Sequence, residues 1–334
     1  MTSGIEIIDN FILKIQENSS NSQYFEWIHY EQFENIKSIS HGEISNIRTA
    51  KWINGPIIDR KEQKRSGPLN VVLKIFKLEN NNSELSSILN QVHYHYICYN
   101  KSPNKFLPIY GITKDPSKNE FISIIKYAEG GDLHDYLNSN FSSLNWNKKL
   151  SILSSFLRDL KTIHEQGFIH KDIHSKNILL SKNKTSFREE NLLIAYLPTS
   201  GLTRPMVPTG NKNEKEGIYG ILPYIAPEVL KGKEYIQASD IYSVGIVMCE
   251  LSTGEFPFKD TFKDNQQLDM NLAINICQGE RPKLSDNAPN IFNEVVEMCW
   301  AQDPSVRPSI NELENIVSEW CDRLAELFNE ADKK

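Results

Sequence analysis

The segment HKDIHSKNIL, residues 170–179, determines how this chain is interpreted. It places the carboxylate of Asp172 and the carboxamide of Asn177 on one short loop, where the two side chains can converge on one bound group. His170 and His174 alternate with Asp172, and a metal site formed by these three side chains is a second interpretation. The segment therefore indicates a functional loop with two candidate chemistries.

The composition is that of an ordinary soluble globular protein. The 334 residues are 39% hydrophobic and 24% charged, with a net charge of −6, and this balance indicates neither nucleic-acid binding nor attraction to a membrane surface. The basic run Arg60–Arg65 is short, and we interpret it as a solvated loop between strands.

The cysteines and the first residues predict the compartment. Five cysteines without paired spacing are typical of reduced thiols in a cytosolic or nuclear protein. The leading segment is interrupted by Glu6, Asp9 and Lys14, so it predicts neither a signal peptide nor a membrane span. We expect a cytoplasmic protein, with the nucleus as the alternative.

Hydrophobic periodicity divides the chain into three parts. Residues 1–29 are predicted to form a helix and a polar linker, with the helix docked weakly on the main body. Residues 30–128 are predicted to be strands plus one helix, and residues 129–328 are predicted to be mainly helical. A small β-rich half followed by a larger helical half predicts an α+β fold of two lobes with a cleft between them.

Three helices are predicted from particular patterns. The leading one has isoleucines at helical spacing: Ile5, Ile8, Ile12 and Ile15. Residues 240–251 are apolar on nearly every side, which predicts a helix buried all round. An amphipathic pattern from about Ser309 to Phe328 predicts the last helix.

Further motifs accompany the loop in a fixed order. They are VVLK at 71–74, YAEGGDLHDYL at 127–137, APE at 226–228, SDIYSVG at 239–245 and DPSVRP at 303–308. Together with residues 170–179, these motifs resemble the eukaryotic protein kinases from about Gln32 to Trp320. GILPYIAPEVL at 220–230, QASDIYS at 237–243 and His174 are similar to the tyrosine-kinase-like kinases expanded in mycorrhizal fungi. The resemblance implies the bilobal kinase fold.

The resemblance also implies roles for individual residues. Asp172 would accept or orient the proton of the substrate hydroxyl, Asn177 would hold magnesium, and Lys74 would bridge the α- and β-phosphates of ATP. Asp240 would brace the loop, and Glu228 would form a buried ion pair with Arg307. The implied nucleotide contacts are Gly42, Ile47, Val72, Lys74, Ile125, Tyr127 and Leu179.

Several positions depart from the kinase pattern. The glycine-rich loop keeps Gly42 but has Ser40 and Ser45 in place of its other glycines, which restricts the backbone that covers the phosphates. Gln91 takes the place of the helix glutamate that pairs with Lys74, so the hydrogen bond would lose its charge assistance. Glu84 lies two helical turns, roughly 10 Å, from that position.

The most consequential departure is Thr199, which takes the place of the aspartate that holds magnesium. A neutral hydroxyl cannot replace a carboxylate as a ligand of a hard dication. Ser200 also replaces the apolar side chain that kinases stack at the next position. The metal site would then be partial, with Asn177 as its remaining ligand. We therefore expect weak or absent ATP binding and little support for Mg²⁺.

Three hypotheses follow, and they differ in chemistry. The favoured one is a catalytically impaired kinase-domain protein that acts in signalling as a scaffold or an allosteric partner. The second is an active atypical protein kinase, specific for serine and threonine or of dual specificity, that transfers the γ-phosphate of ATP to protein hydroxyls. The third is a different nucleotide-using transferase. In each of the first two cases the expected partners are proteins, without nucleic acid or membrane.

Overall fold

The computed structural model describes residues 2–17, 24–38, 47–59, 61–77, 82–102, 106–118, 120–182, 193–198, 204–205, 220–259, 270–323 and 327–328. The chain divides into two compact units, Met1–Ala128 and Glu129–Lys334. The first unit is built around a β-sheet and the second is mainly helical, so the predicted α+β kinase fold is confirmed. Within the described residues, no helix is both long and apolar enough to cross a membrane.

The described part of the N-terminal unit contains two α-helices and eight strands. The helices are α1 (Glu6–Glu17) and α2 (Asn82–Lys101). The strands are β1 (Glu26–Trp27), β2 (Phe33–Ser38), β3 (Ile47–Trp52), β4 (Ile57–Asp59), β5 (Lys64–Arg65), β6 (Leu69–Lys77), β7 (Ile109–Asp115) and β8 (Glu120–Lys126). Six of them form one sheet in the order β1-β7-β8-β6-β3-β2, and β4 pairs with β5 in a separate hairpin.

Strand β6 lies inside the sheet, between β8 and β3, and its side chains alternate between the two faces of the sheet. Val71, Leu73 and Ile75 are buried on one face, where they pack with residues of β2, β3, β7 and β8. Val72 and Lys74 point to the opposite face, since successive side chains of a strand alternate. The VVLK motif at 71–74 therefore lies within a central strand of the sheet.

The leading helix packs against the N-terminal core through three buried isoleucines. Ile8, Ile12 and Ile15 of α1 are all buried, and they share one hydrophobic cluster with α2 and the sheet. The helix was predicted correctly, but its burial is deeper than the expected weak docking. Strand β1, which follows α1, adds a parallel edge strand beside β7.

The basic run differs from the prediction of a solvated loop. Arg65 belongs to β5 and forms a bidentate ion pair with Glu26, at 2.9 and 2.7 Å. Its Nη1 also donates a hydrogen bond to the carbonyl of Gly55. Lys61 and Lys64 are exposed, as expected for a solvated segment. The prediction was wrong for Arg65 because its carboxylate partner lies far away in the sequence.

The C-terminal unit contains seven described helices of four residues or more. They are α3 (Leu133–Asn140), α4 (Trp146–Glu165), α5 (Pro227–Leu230), α6 (Gln237–Thr253), α7 (Met270–Gln278), α8 (Asn290–Cys299) and α9 (Ile310–Asp322). Four short strands accompany them: β9 (Phe168–Ile169), β10 (Leu179–Lys182), β11 (Leu193–Tyr196) and β12 (Arg204–Pro205). β10 pairs with β11, and β9 pairs with β12.

Helix α6 runs through the centre of this unit, as its apolar sequence predicted. All of its residues from Ser239 to Ser252 are buried. Gly245 permits the close approach of α8, because a Cβ at this position would lie 2.8 Å from the Cβ of Cys299. The polar groups on α6 are therefore placed in the interior, where they need partners.

The C-terminal ends of α4 and α9 can be compared with the sequence patterns. Gly167 has a φ of +73° just after α4, which is the left-handed conformation expected of a glycine C-terminal stop. Helix α9 ends at Asp322, earlier than predicted. Phe328 is nevertheless buried, because its ring packs against Trp146 and Trp320.

Candidate active site

The loop between β9 and β10 brings Asp172 and Asn177 together. Asn177 closes a short 3-10 helix, Ser175–Asn177, and its Nδ2 donates to the backbone carbonyl of Asp172 at 2.8 Å and to its carboxylate Oδ2 at 3.3 Å. The other carboxylate oxygen, Oδ1, lies 3.3 Å from Nε2 of His174. Both oxygens of Asp172 are thus oriented by side chains of the same loop.

His170 anchors the start of this loop. Its Nδ1 accepts a hydrogen bond from the backbone N–H of Asp172, and its Nε2 donates to the carbonyl of Pro198. Burial lowers the pKa of His170, which favours the neutral ring that this pair of bonds requires. Because both ring nitrogens of His170 are engaged in hydrogen bonds, the ring offers no free lone pair to a metal. Among the described residues, no group of three His, Cys, Asp or Glu side chains is placed to hold one.

Asp240 braces the loop from the buried helix α6. Its Oδ1 accepts the N–H of Lys171, and its Oδ2 accepts the N–H of His170, at 2.9 and 2.8 Å. His164 of α4 contributes a third contact, from Nε2 to Oδ2 at 2.8 Å. Lys171 has a φ of 69°, a conformation that a non-glycine residue adopts at a cost and that these contacts maintain. The predicted brace is confirmed.

The predicted ion pair is also present. The guanidinium of Arg307 contacts both carboxylate oxygens of Glu228 at 2.8 Å, and both side chains are buried. Burial opposes ionisation of Glu228, but the hydrogen bond and charge of Arg307 outweigh it and hold its pKa below the usual range. Ser239 of α6 donates a further hydrogen bond to Glu228.

A third buried carboxylate, Glu250, was not singled out in the sequence. Ser175 of the loop and Tyr224 both donate to it, at 2.9 Å to Oε1 and 2.5 Å to Oε2. His134 of α3 lies 3.2 Å from Oε1, and this hydrogen bond raises the pKa of His134. A lone glutamate within an otherwise apolar helix was the signal that could have revealed this network.

The sheet of the N-terminal unit gathers four predicted nucleotide contacts on one face. Ile47 of β3 pairs with Lys74 of β6, and Val72 of β6 pairs with Ile125 of β8. Residues directly opposite in an antiparallel pair share a face, and so do residues two apart on one strand. The four side chains are therefore neighbours. Tyr127 follows directly after β8.

Gln91 lies within α2 and is half-buried. The helix is uninterrupted from Asn82 to Lys101, so Glu84 remains two turns away from this position, as predicted. In the C-terminal unit, Leu179 begins β10 and forms an isolated bridge with Asp132. Gly42, Thr199, Ser200 and the serines at 40 and 45 lie outside the described residues.

Comparison with known proteins decides the family. Residues 33–317 match the family described as protein tyrosine and serine/threonine kinase. The chain belongs to this kinase family. Its members use ATP and Mg²⁺ in general and act on proteins.

The relatives of this kinase domain carry serine/threonine kinase names. A probable serine/threonine-protein kinase of Dictyostelium discoideum is 26% identical over 317 residues, 94% of this chain and 31% of that protein. The serine/threonine-protein kinase STY17 of Arabidopsis thaliana is 24% identical over 251 residues, 75% of this chain and 40% of that protein. The chain thus spans less than half the length of either relative.

Of the positions predicted to bind magnesium, the described residues of the kinase domain include Asn177. They contain no group of three or more His, Cys, Asp and Glu side chains placed to hold a metal. Asn177 can offer its amide oxygen, since its nitrogen donates to Asp172. The position predicted from the sequence to correspond to the metal-binding aspartate of kinases is Thr199, which lacks a charge and lies outside the described residues. With a threonine at that position, the predicted donor set contains few of the charged oxygen ligands that a hard dication prefers.

The sequence also missed the contacts that hold the chain just before position 199. Asp159 of α4 is buried, and its Oδ2 accepts the N–H of Leu197 at 2.8 Å. His170 binds the next carbonyl, that of Pro198. Neither contact has a local sequence signal, because each joins residues about thirty or more positions apart.

Proposed function

We propose that this kinase domain is catalytically impaired and acts in signalling as a scaffold or allosteric partner of another protein. One observation carries the proposal. In the loop that holds Asp172 and Asn177, Asn177 donates to Asp172 and His170 donates to Pro198, yet the residue after Pro198 is a threonine and not the metal-binding aspartate. The domain thus combines an ordered catalytic loop with a donor set that is poor for magnesium.

The expected loss of activity is large. Removal of one preorganised electrostatic group from an active site typically costs about 10²–10³ in rate. Loss of the metal carboxylate displaces a doubly charged ion, which is a larger change than the loss of one hydrogen bond. Gln91 weakens the expected contact to Lys74 as well, since a neutral amide gives roughly half the bond strength of a carboxylate. Weak or absent ATP binding is the matching proposal.

The features retained in the C-terminal unit support a binding role. Asp240 holds the catalytic loop, and Arg307 pairs with Glu228. Ser175 and Tyr224 are joined through Glu250. Each of these contacts organises the unit without taking part in phosphate transfer, so they are compatible with a domain that binds protein and transfers little phosphate.

The second candidate is an active atypical serine/threonine or dual-specificity kinase. The intact contact between Asp172 and Asn177 favours it, as do the serine/threonine kinase names of the relatives. Under either candidate we place the domain in the tyrosine-kinase-like group, because of the motifs at 220–230 and 237–243.

The five cysteines are free thiols, which supports a cytoplasmic or nuclear location.

Nucleotide-induced thermal shift, measured with and without Mg²⁺, tests the proposal together with autophosphorylation. We expect a small shift that Mg²⁺ does not increase, and no phosphate incorporation above that of the Asp172→Asn variant. Incorporation that is clear in the wild type and lost in Asp172→Asn would establish the active kinase instead.

A further inference from the structure

Helix α1 covers part of helix α2, which carries Gln91. Ile8, Ile12 and Ile15 of α1 lie in the same buried cluster as α2 residues. The α2 members of this cluster are Leu85, Leu89, Val92 and Tyr96. Two of them, Leu89 and Val92, flank Gln91 within two residues on either side. The packing of α1 therefore reaches the turn of α2 that carries Gln91.

The segment after α1 ties this helix to the edge of the sheet. Gln16 donates from Nε2 to the carbonyl of Phe25 at 2.7 Å, and Phe11 packs edge-on against Phe25 with ring centroids 6.1 Å apart. β1 then pairs with β7 so closely that a Cβ at Gly111 would lie 1.9 Å from the carbonyl oxygen of Glu26. The absence of a side chain at Gly111 thus allows β1 to pair with β7.

The sequence of helix α2 favours a helix only weakly, so the helix depends on packing against its neighbours. Its twenty residues, NSELSSILNQVHYHYICYNK, contain no alanine and are rich in Asn, Ser, His and Tyr, which are weak helix formers. Helices of this kind take most of their stability from tertiary packing of one face. Phe11 of α1 adds an edge-on contact with His93 of α2, at 6.2 Å between ring centroids. Part of the packing that α2 needs is therefore supplied by α1.

We propose that α1 is an intramolecular positioning element for α2, and that the α1-facing surface of α2 is a helix-docking surface occupied by the chain's own N-terminal helix. Docked α1 holds the turn around Gln91 in place, and release of α1 loosens that turn while the sheet stays folded. The proposal is independent of whether the domain transfers phosphate.

Hydrogen exchange of the full chain, resolved by region, tests this role with a matched pair of variants on α1. Ile12→Ala removes a buried side chain, whereas Leu13→Ala changes a neighbour that is 55% exposed. We expect Ile12→Ala to speed exchange in residues 85–96 by about tenfold or more relative to β6 and β8. Leu13→Ala is expected to leave α2 unchanged, and Ile12→Leu, which keeps the volume, to restore most of the protection.

A second variant, away from the contact between α1 and α2, tests the same role by a different route. Gly111→Ala forces β1 away from β7 without touching α1 or α2 directly, and we expect the same faster exchange in α2. Unchanged protection of α2 in Ile12→Ala would overturn the proposal. So would equal loss of protection in α2 and in the sheet, because α1 would then be an inseparable part of one core.

Discussion

His170 donates a hydrogen bond from Nε2 to the carbonyl oxygen of Pro198, 2.9 Å away, and Pro198 immediately precedes Thr199. This bond ties the catalytic loop to the chain segment that should deliver a metal-binding carboxylate. A substitution at position 199 therefore tests the proposed catalytic impairment.

Thr199→Asp combined with Gln91→Glu is expected to raise phosphate transfer by about 10²–10³ or more over the wild type. The substitutions return a charged metal ligand and a charge-assisted contact to Lys74. Incorporation of labelled phosphate into the domain itself or a generic protein substrate measures the gain. Addition of Asp172→Asn to the double variant should abolish it, and a double variant no more active than the wild type would place the defect elsewhere.

Glu228→Gln is expected to destabilise the protein by about 3–5 kcal/mol, because it leaves the buried charge of Arg307 without its counter-charge. Asp286→Asn is the matched control, since its partner Lys283 and Asp286 itself are both 84% exposed. That change should cost no more than about 0.5 kcal/mol. Urea unfolding measures both values, and similar costs for the two variants would contradict the buried ion pair.

The contact between His134 and Glu250 predicts a stability that falls at higher pH. The hydrogen bond to Glu250 raises the pKa of His134, so the folded state binds a proton more tightly than the unfolded state. This contribution is complete below the unfolded pKa of about 6.5 and is lost as the pH rises through the raised pKa. Unfolding curves from about pH 6 to 8 should show the decline, and His134→Gln should remove it. His29→Gln changes an exposed histidine and should keep the wild-type profile.

The buried His95 predicts a stability that falls at low pH. It is buried against the carbonyl of Leu107, and desolvation lowers its pKa to about 4. The unfolded state then binds the extra proton, so this contribution to stability is present above about pH 6.5 and is lost as the pH falls towards 4. The slope from this one group approaches 1.4 kcal/mol per pH unit. His95→Gln should flatten the decline between pH 6 and pH 4, and an unchanged slope would assign the acid sensitivity to other groups.

Local patterns predicted the elements whose burial follows from their own sequence. Helix α6 was identified because the run at 240–251 is apolar on nearly every side, which favours a helix buried all round. Helix α1 was identified because its isoleucines recur at helical spacing. Only the kinase resemblance predicted the ion pair of Glu228 and Arg307 and the contacts of Asp240 with the catalytic loop. The sequence around these residues does not indicate their partners. Strand β1 has two residues, too few for any periodicity to appear.

The sequence by itself determined the kinase family, the loop with Asp172 and Asn177, and the absence of a carboxylate at position 199, because these are properties of residue identity and order. Tertiary structure alone decided that α1 belongs to the core of the N-terminal unit, that Glu26 pairs with Arg65, and that Glu250 joins Ser175 and Tyr224. Each of these contacts links residues distant in the chain. Their partners are chosen by which surfaces the fold brings together and by the cost of leaving a buried polar group unpaired.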